Sequence, residues 1–168
     1  MFHGWDDFYL LIGSAAAALI GLLFVVATLT SGREASAAVR GQHLYLTPTV
    51  FHLVVVLLLS ALALAPDVKM QIVGLVIAAC ALIGFIYGIV ISIEFWRGNT
   101  PQMPHWSDFW CYAVTPVVIY VALAVAAALV WRAPLWAPYA AAVVLIALLL
   151  IAIRNAWDLV TWLAPRRE

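Results

Sequence analysis

The sequence predicts an all-α fold, a polytopic membrane bundle of five transmembrane helices, and three observations carry that expectation. Of 168 residues, 67% are hydrophobic and 10% charged, and mean hydropathy is strongly positive, a balance that soluble domains do not show. The apolar residues run continuously instead of alternating, which favours helices over barrel strands. Each of the five runs exceeds the roughly 20 residues that a helix needs to cross the hydrocarbon core.

The first span is expected from Phe8 to Thr30. The stretch before it, Met1 to Asp7, is acidic, and the apolar run is too long for a cleaved signal peptide, whose leading charge is positive and whose core is about 7–15 residues. The span is therefore expected to stay in the mature chain. Gly13, Ala17 and Gly21 repeat at a spacing of four, a pattern that lets helix backbones approach closely.

The second span runs from Tyr45 to Ala65 and opens with Thr47-Pro48, a residue suited to a first helical turn. Tyr45, Thr49, His52 and Ser60 share one face of it, and that face must meet protein or water. Pro66-Asp67 announces the third span, Met70 to Phe95, which carries Gly84, Tyr87, Gly88, Ser92 and Glu94. Gly84, Gly88 and Ser92 form a second small-residue stripe.

Ser107-Asp108 offers a cap for the fourth span, Asp108 to Trp131, in which Asp108, Tyr112 and Thr115 align. Thr115-Pro116 removes a helical hydrogen bond within it and predicts a static bend. The fifth span, Pro138 to Trp162, follows Pro134 and presents Arg154, Asp158 and Thr161. Connections this short leave no room for a soluble unit, so residues 1–168 are expected to form one transmembrane domain. No internal repeat supports an inverted-repeat transporter within one chain.

Arg33, Arg40, Arg97, Arg154, Arg166 and Arg167 fall on one side, whereas only Lys69 and Arg132 fall on the other. The positive-inside bias then predicts an external N-terminus and a cytoplasmic C-terminus in the cell membrane, the inner membrane for a bacterial chain. All eight tryptophans lie near span ends: Trp5, Trp131 and Trp136 outside, and Trp96, Trp106, Trp110, Trp157 and Trp162 inside. Indoles favour the headgroup boundary, so this belt supports the spans independently of hydropathy.

The formal net charge is zero, which gives no basic surface for nucleic acid. Cys80 and Cys111 lie in different spans at depths about 10 Å apart, too far for a disulfide. His3, His43, His52 and His105 show no Cys/His ligand spacing, and no nucleophile elbow or zinc-protease motif is present. No cofactor or metal is expected, and an enzyme is the weaker alternative.

The candidate site is the polar cluster His52, Glu94, Asp108, Arg154 and Asp158, all mapping to the cytoplasmic end of the spans. A charge at the bilayer centre costs about 2.5–3.5 kcal/mol on insertion scales, so these groups are expected at the interface or paired. Arg154 can reach Asp158 at i to i+4 and, where the third and fifth helices touch, Glu94 as well. Arg97 competes locally for Glu94.

Two uses of the cluster follow. It fixes helix packing in a non-catalytic accessory or oligomer-forming subunit, whose partners besides the lipid bilayer are copies of itself or other membrane subunits. Alternatively it lines a small channel or a proton- or cation-coupled transporter, with His52 as a titrating neighbour. The outer half offers little polarity beyond Ser14, so a pore needs an oligomer or a hydrophobic gate.

Overall fold

The computed structural model describes residues 4–30, 46–97, 107, 109–132 and 135–163. Among these it is helical apart from short turns, with no strand: α1 (Asp6–Thr30), α2 (Thr47–Leu64), α3 (Met70–Trp96), a π-helical segment (Phe109–Val114) running into α4 (Thr115–Arg132), and α5 (Ala137–Leu163). Five of these stretches are long and apolar enough to cross a membrane. The chain is thus compatible with a multi-pass integral membrane protein, and the helix limits fall within two residues of the expected spans.

Local chemistry accounts for the ends. Asp6 and Asp7 sit in the first turn of α1, where carboxylates favour the positive end of the helix dipole, and Arg132 sits in the last turn of α4, where a cation does so. Pro48 occupies the first turn of α2, at a position whose N–H has no helical acceptor. Between α2 and α3 the chain reverses through Pro66 and Asp67, and Asp67 takes a positive φ of 55°, a conformation that short polar side chains tolerate.

Helices α2, α3, α4 and α5 form a ring in which α3 packs on α4, α4 on α5, α5 on α2 and α2 on α3; α1 lies outside it, against α2 and α5. The two diagonals, α2 with α4 and α3 with α5, share little backbone contact. Lipid tails are as apolar as leucine, so the hydrophobic effect does not drive these helices together within a bilayer; close packing and hydrogen bonds must do so.

Small residues make that close packing possible. A Cβ added at Gly84 would collide with the Tyr120 ring of α4, and one added at Gly88 would lie 2.7 Å from Val117 Cγ2. The stripe read in the third span therefore has its partner within the same chain, on α4. In α1 the buried stripe is Tyr9, Ile12, Gly13, Ala16 and Leu23, while Ala17 and Gly21 face outward. Only Gly13 of the expected trio is used, its Cβ position falling 3.0 Å from Ser60 Cβ on α2.

The expected bend at Pro116 takes a different form. Instead of an α-helix kinked at proline, six residues wind as a π-helix just before it.

Candidate functional site

Among the described residues, three groups of polar contacts lie toward the end of the bundle where α2 begins and α5 finishes. The first is a diagonal strut. Thr49 and His52 are one turn apart on α2 and both are fully enclosed, the histidine at 2% exposure. His52 Nδ1 lies 2.8 Å from the Tyr120 hydroxyl of α4, joining helices whose backbones stay apart.

Tyr120 reaches the centre because Gly84 leaves space for its ring, and Phe51 lies against both Tyr87 and Tyr120, at 5.6 and 6.1 Å between centroids. His52 Nε2 is buried without a hydrogen-bond partner among the described residues.

The second is a clasp between α5 and the π-helical segment. Asn155, completely buried, donates from Nδ2 to the Cys111 carbonyl at 3.2 Å, and its own backbone carbonyl accepts from the Tyr112 hydroxyl at 2.8 Å. The reason for the first bond can be counted along the chain. In a π-helix each N–H reaches the carbonyl five residues back. The donor due at Cys111 is therefore residue 116, a proline with no N–H. The Asn155 amide supplies the missing donor.

The third is the ion pair at the edge. Arg154 Nη1 lies 2.9 Å from Asp158 Oδ2, one turn on, with the two side chains 33% and 38% exposed. The same nitrogen donates to Asn155 Oδ1 at 3.2 Å, and the guanidinium carbon sits 5.8 Å from the centre of the Tyr112 ring, within cation–π range. The guanidinium thus ties the half-exposed carboxylate to the buried amide.

Of the expected cluster, Arg154 and Asp158 are brought together. Glu94 is half-buried near the end of α3; a bridge from it to Arg154 requires contact between α3 and α5, which occupy opposite corners of the ring. His52 belongs to the separate strut, and Asp108 lies outside the described residues, as do His3, His43 and His105.

Two residues that the sequence reading passed over, Tyr120 and Asn155, are the hubs. Each carried a signal: a phenol near the middle of an apolar span and an amide within one both need hydrogen-bond partners in hydrocarbon.

The chemistry open to this arrangement is limited. His52 faces a phenol, not a carboxylate or an aliphatic hydroxyl nucleophile, and Ser60 lies two turns away on the same helix. Among the described residues no three His, Cys, Asp or Glu side chains converge, and Cys80 and Cys111 are both free thiols.

The far end is aromatic. Trp5 meets Phe8 at 5.4 Å and Tyr139 at 4.7 Å edge to face, and Trp131 and Trp136 are exposed beside them in the sequence order of that end. Trp96, Trp110 and Trp157 are exposed toward the polar end; Trp106 and the Trp162 side chain are outside the described set. Compared with known protein families, curated proteins and solved structures, the chain matches none.

Proposed function

We propose that this chain is a non-catalytic integral membrane protein that serves as a subunit of a membrane assembly, formed with copies of itself or with other membrane proteins. The observation that supports this reading is how the buried polar groups are used. Asn155 spends both amide atoms, and its backbone carbonyl, within the chain, and His52 and Tyr120 bond to each other across the ring.

Bonds of this kind hold helices in place, contributing about 0.6 kcal/mol each on average within membranes and up to about 1.7. Described residues outside the helices form only short links, and most of the described surface is an apolar helix wall suited to lipid or to another helix. The charge asymmetry supports an external N-terminus and a cytoplasmic C-terminus in the cell membrane.

Native mass spectrometry of the protein released from membranes in nanodiscs tests this reading. A defined oligomer or a complex with foreign subunits is expected, and a monomer at all loadings contradicts it.

One observation favours a second reading, a proton- or cation-conducting role: the buried His52 Nε2 has no protein partner among the described residues. Proteoliposome flux compared among the native chain, His52→Ala and Glu94→Gln separates the two. Flux in the native protein that either substitution abolishes favours conduction, and flux at the level of empty liposomes favours the structural role.

A further inference from the structure

We infer that the seam between α2 and α3, at the polar end of the bundle, binds a lipid-soluble quinone whose ring carbonyl accepts a hydrogen bond from His52 Nε2. This site goes beyond the subunit role and does not depend on which assembly the chain joins.

The seam is the loosest side of the ring. Helices α2 and α3 share less backbone contact than any other adjacent pair in it, and aromatic side chains bridge them instead. Phe51 of α2 lies 5.6 Å from Tyr87 of α3 between centroids, and both are half-buried. Behind them Tyr120 comes in from α4 along the α3 side, its ring laid where Gly84 has no Cβ. The His52 centroid is 6.3 Å from that of Phe51 and 5.6 Å from that of Tyr120. Rings from three helices thus gather at one place, and the buried Nε2, without a partner among the described residues, belongs to one of them.

That nitrogen carries a proton. A neutral imidazole has one N–H and one lone pair. If the Tyr120 hydroxyl accepted from Nδ1–H, its own proton and the Nε2 lone pair would both go unmet among the described residues. With the hydroxyl donating to Nδ1, only Nε2–H is unmet, so this arrangement is favoured. The buried ring therefore presents a donor, and its complement is an acceptor such as a carbonyl oxygen, not a cation.

The surroundings select the rest of the ligand. His52 is 2% exposed, so a molecule that reaches it leaves water behind, which an uncharged head tolerates and a charged one does not. Flat aromatic walls suit a planar ring. On the outside, Val54 and Leu58 continue the Phe51 face of α2 and Ile83 continues the Tyr87 face of α3, all three exposed. An apolar tail lying there stays in hydrocarbon while the head enters between the helices. A planar carbonyl compound on such a tail is a quinone. The ester carbonyl of a glycerolipid offers the same acceptor but brings a polar headgroup and no flat ring.

Equilibrium binding of a radiolabelled benzoquinone with a short alkyl tail tests the site in the full chain reconstituted in nanodiscs. Saturable uptake of one quinone per chain is expected above the linear partition into empty nanodiscs. His52→Leu removes the donor and should weaken binding at least about tenfold. His52→Gln, whose amide nitrogen can stand in for Nε2, should stay within about threefold. Tyr120→Phe breaks the same strut but spares Nε2, and should also stay within about threefold, which separates loss of the donor from loosening of the bundle.

Should His52→Leu fail to fold, Phe51→Leu decides the matter, with a several-fold weakening expected as the flat wall is lost. Uptake no greater than in empty nanodiscs, as a water or a lipid ester carbonyl on Nε2 would produce, overturns the site. So does native affinity in folded His52→Leu or in Phe51→Leu, or a loss in His52→Gln or Tyr120→Phe as large as that in His52→Leu.

Discussion

The His52 imidazole and the Tyr120 hydroxyl meet 2.8 Å apart across the diagonal of the four-helix ring. They join α2 and α4, one of the two diagonal pairs whose backbones share little contact. The contact exists because α3 gives way: Gly84 has no side chain where the tyrosine ring lies. One missing Cβ, one phenol and one imidazole from three helices thus fix a common depth and rotation for the ring.

The seat under Tyr120 predicts a sharp contrast between two glycines. Gly84→Ala drives a methyl into the ring of Tyr120 and is expected to cost about 1–3 kcal/mol through overpacking. Gly21→Ala meets no atom within 4 Å, and gains helix propensity, so stability should hold or rise slightly. Unfolding by steric trapping in bicelles measures both. Equal effects at the two positions would contradict the seat.

Asn155 and Asp158 provide a second contrast, in which the neutral residue outranks the charged one. Asn155→Leu leaves the Cys111 carbonyl without its side-chain donor in a buried place and is expected to cost about 1–3 kcal/mol. Asp158→Asn breaks an ion pair whose partners are each about a third exposed, so the loss should stay below about 1 kcal/mol. Arg154→Leu should fall between them, since it removes the pair and the bond to Asn155 Oδ1 together. Thermal inactivation in mild detergent orders the three. A larger loss for Asp158→Asn than for Asn155→Leu would reverse the assignment of the hub.

Topology is open to a direct test. A green fluorescent protein fused after Glu168 should fluoresce, as it does when a C-terminus faces the cytoplasm, and alkaline phosphatase at the same point should be inactive. The opposite pattern would mean that the arginine asymmetry does not set this orientation.

The number of helices and their limits were legible because membrane insertion imposes a long, continuous apolar run that hydropathy reads directly. The Arg154–Asp158 pair was legible for a similar reason: i to i+4 neighbours meet on any helix. Contacts between distant helices were not. The charged residues drew notice through their insertion cost, yet Tyr120 and Asn155, neutral and embedded in apolar runs, make the contacts that cross between helices.

The π-helical turn was also hidden, because Pro116 signals only that a donor is lost. The carbonyl due that donor in the π winding, that of Cys111, takes the Asn155 amide instead, forty-four residues away along the chain. In α1 the glycine spacing pointed to Gly13, Ala17 and Gly21. The buried face instead follows Tyr9, Ile12, Gly13 and Ala16, because α1 leans on two helices at once and buries a wider stripe.

Interior polar side chains fasten this bundle to itself, and the strength of that fastening is read from a double-mutant cycle between His52 and Tyr120. His52→Leu, Tyr120→Phe and the double variant are unfolded in bicelles beside the native chain. A favourable coupling of about 0.6–1.7 kcal/mol is expected. A coupling of zero, with the two single effects simply adding, would contradict it.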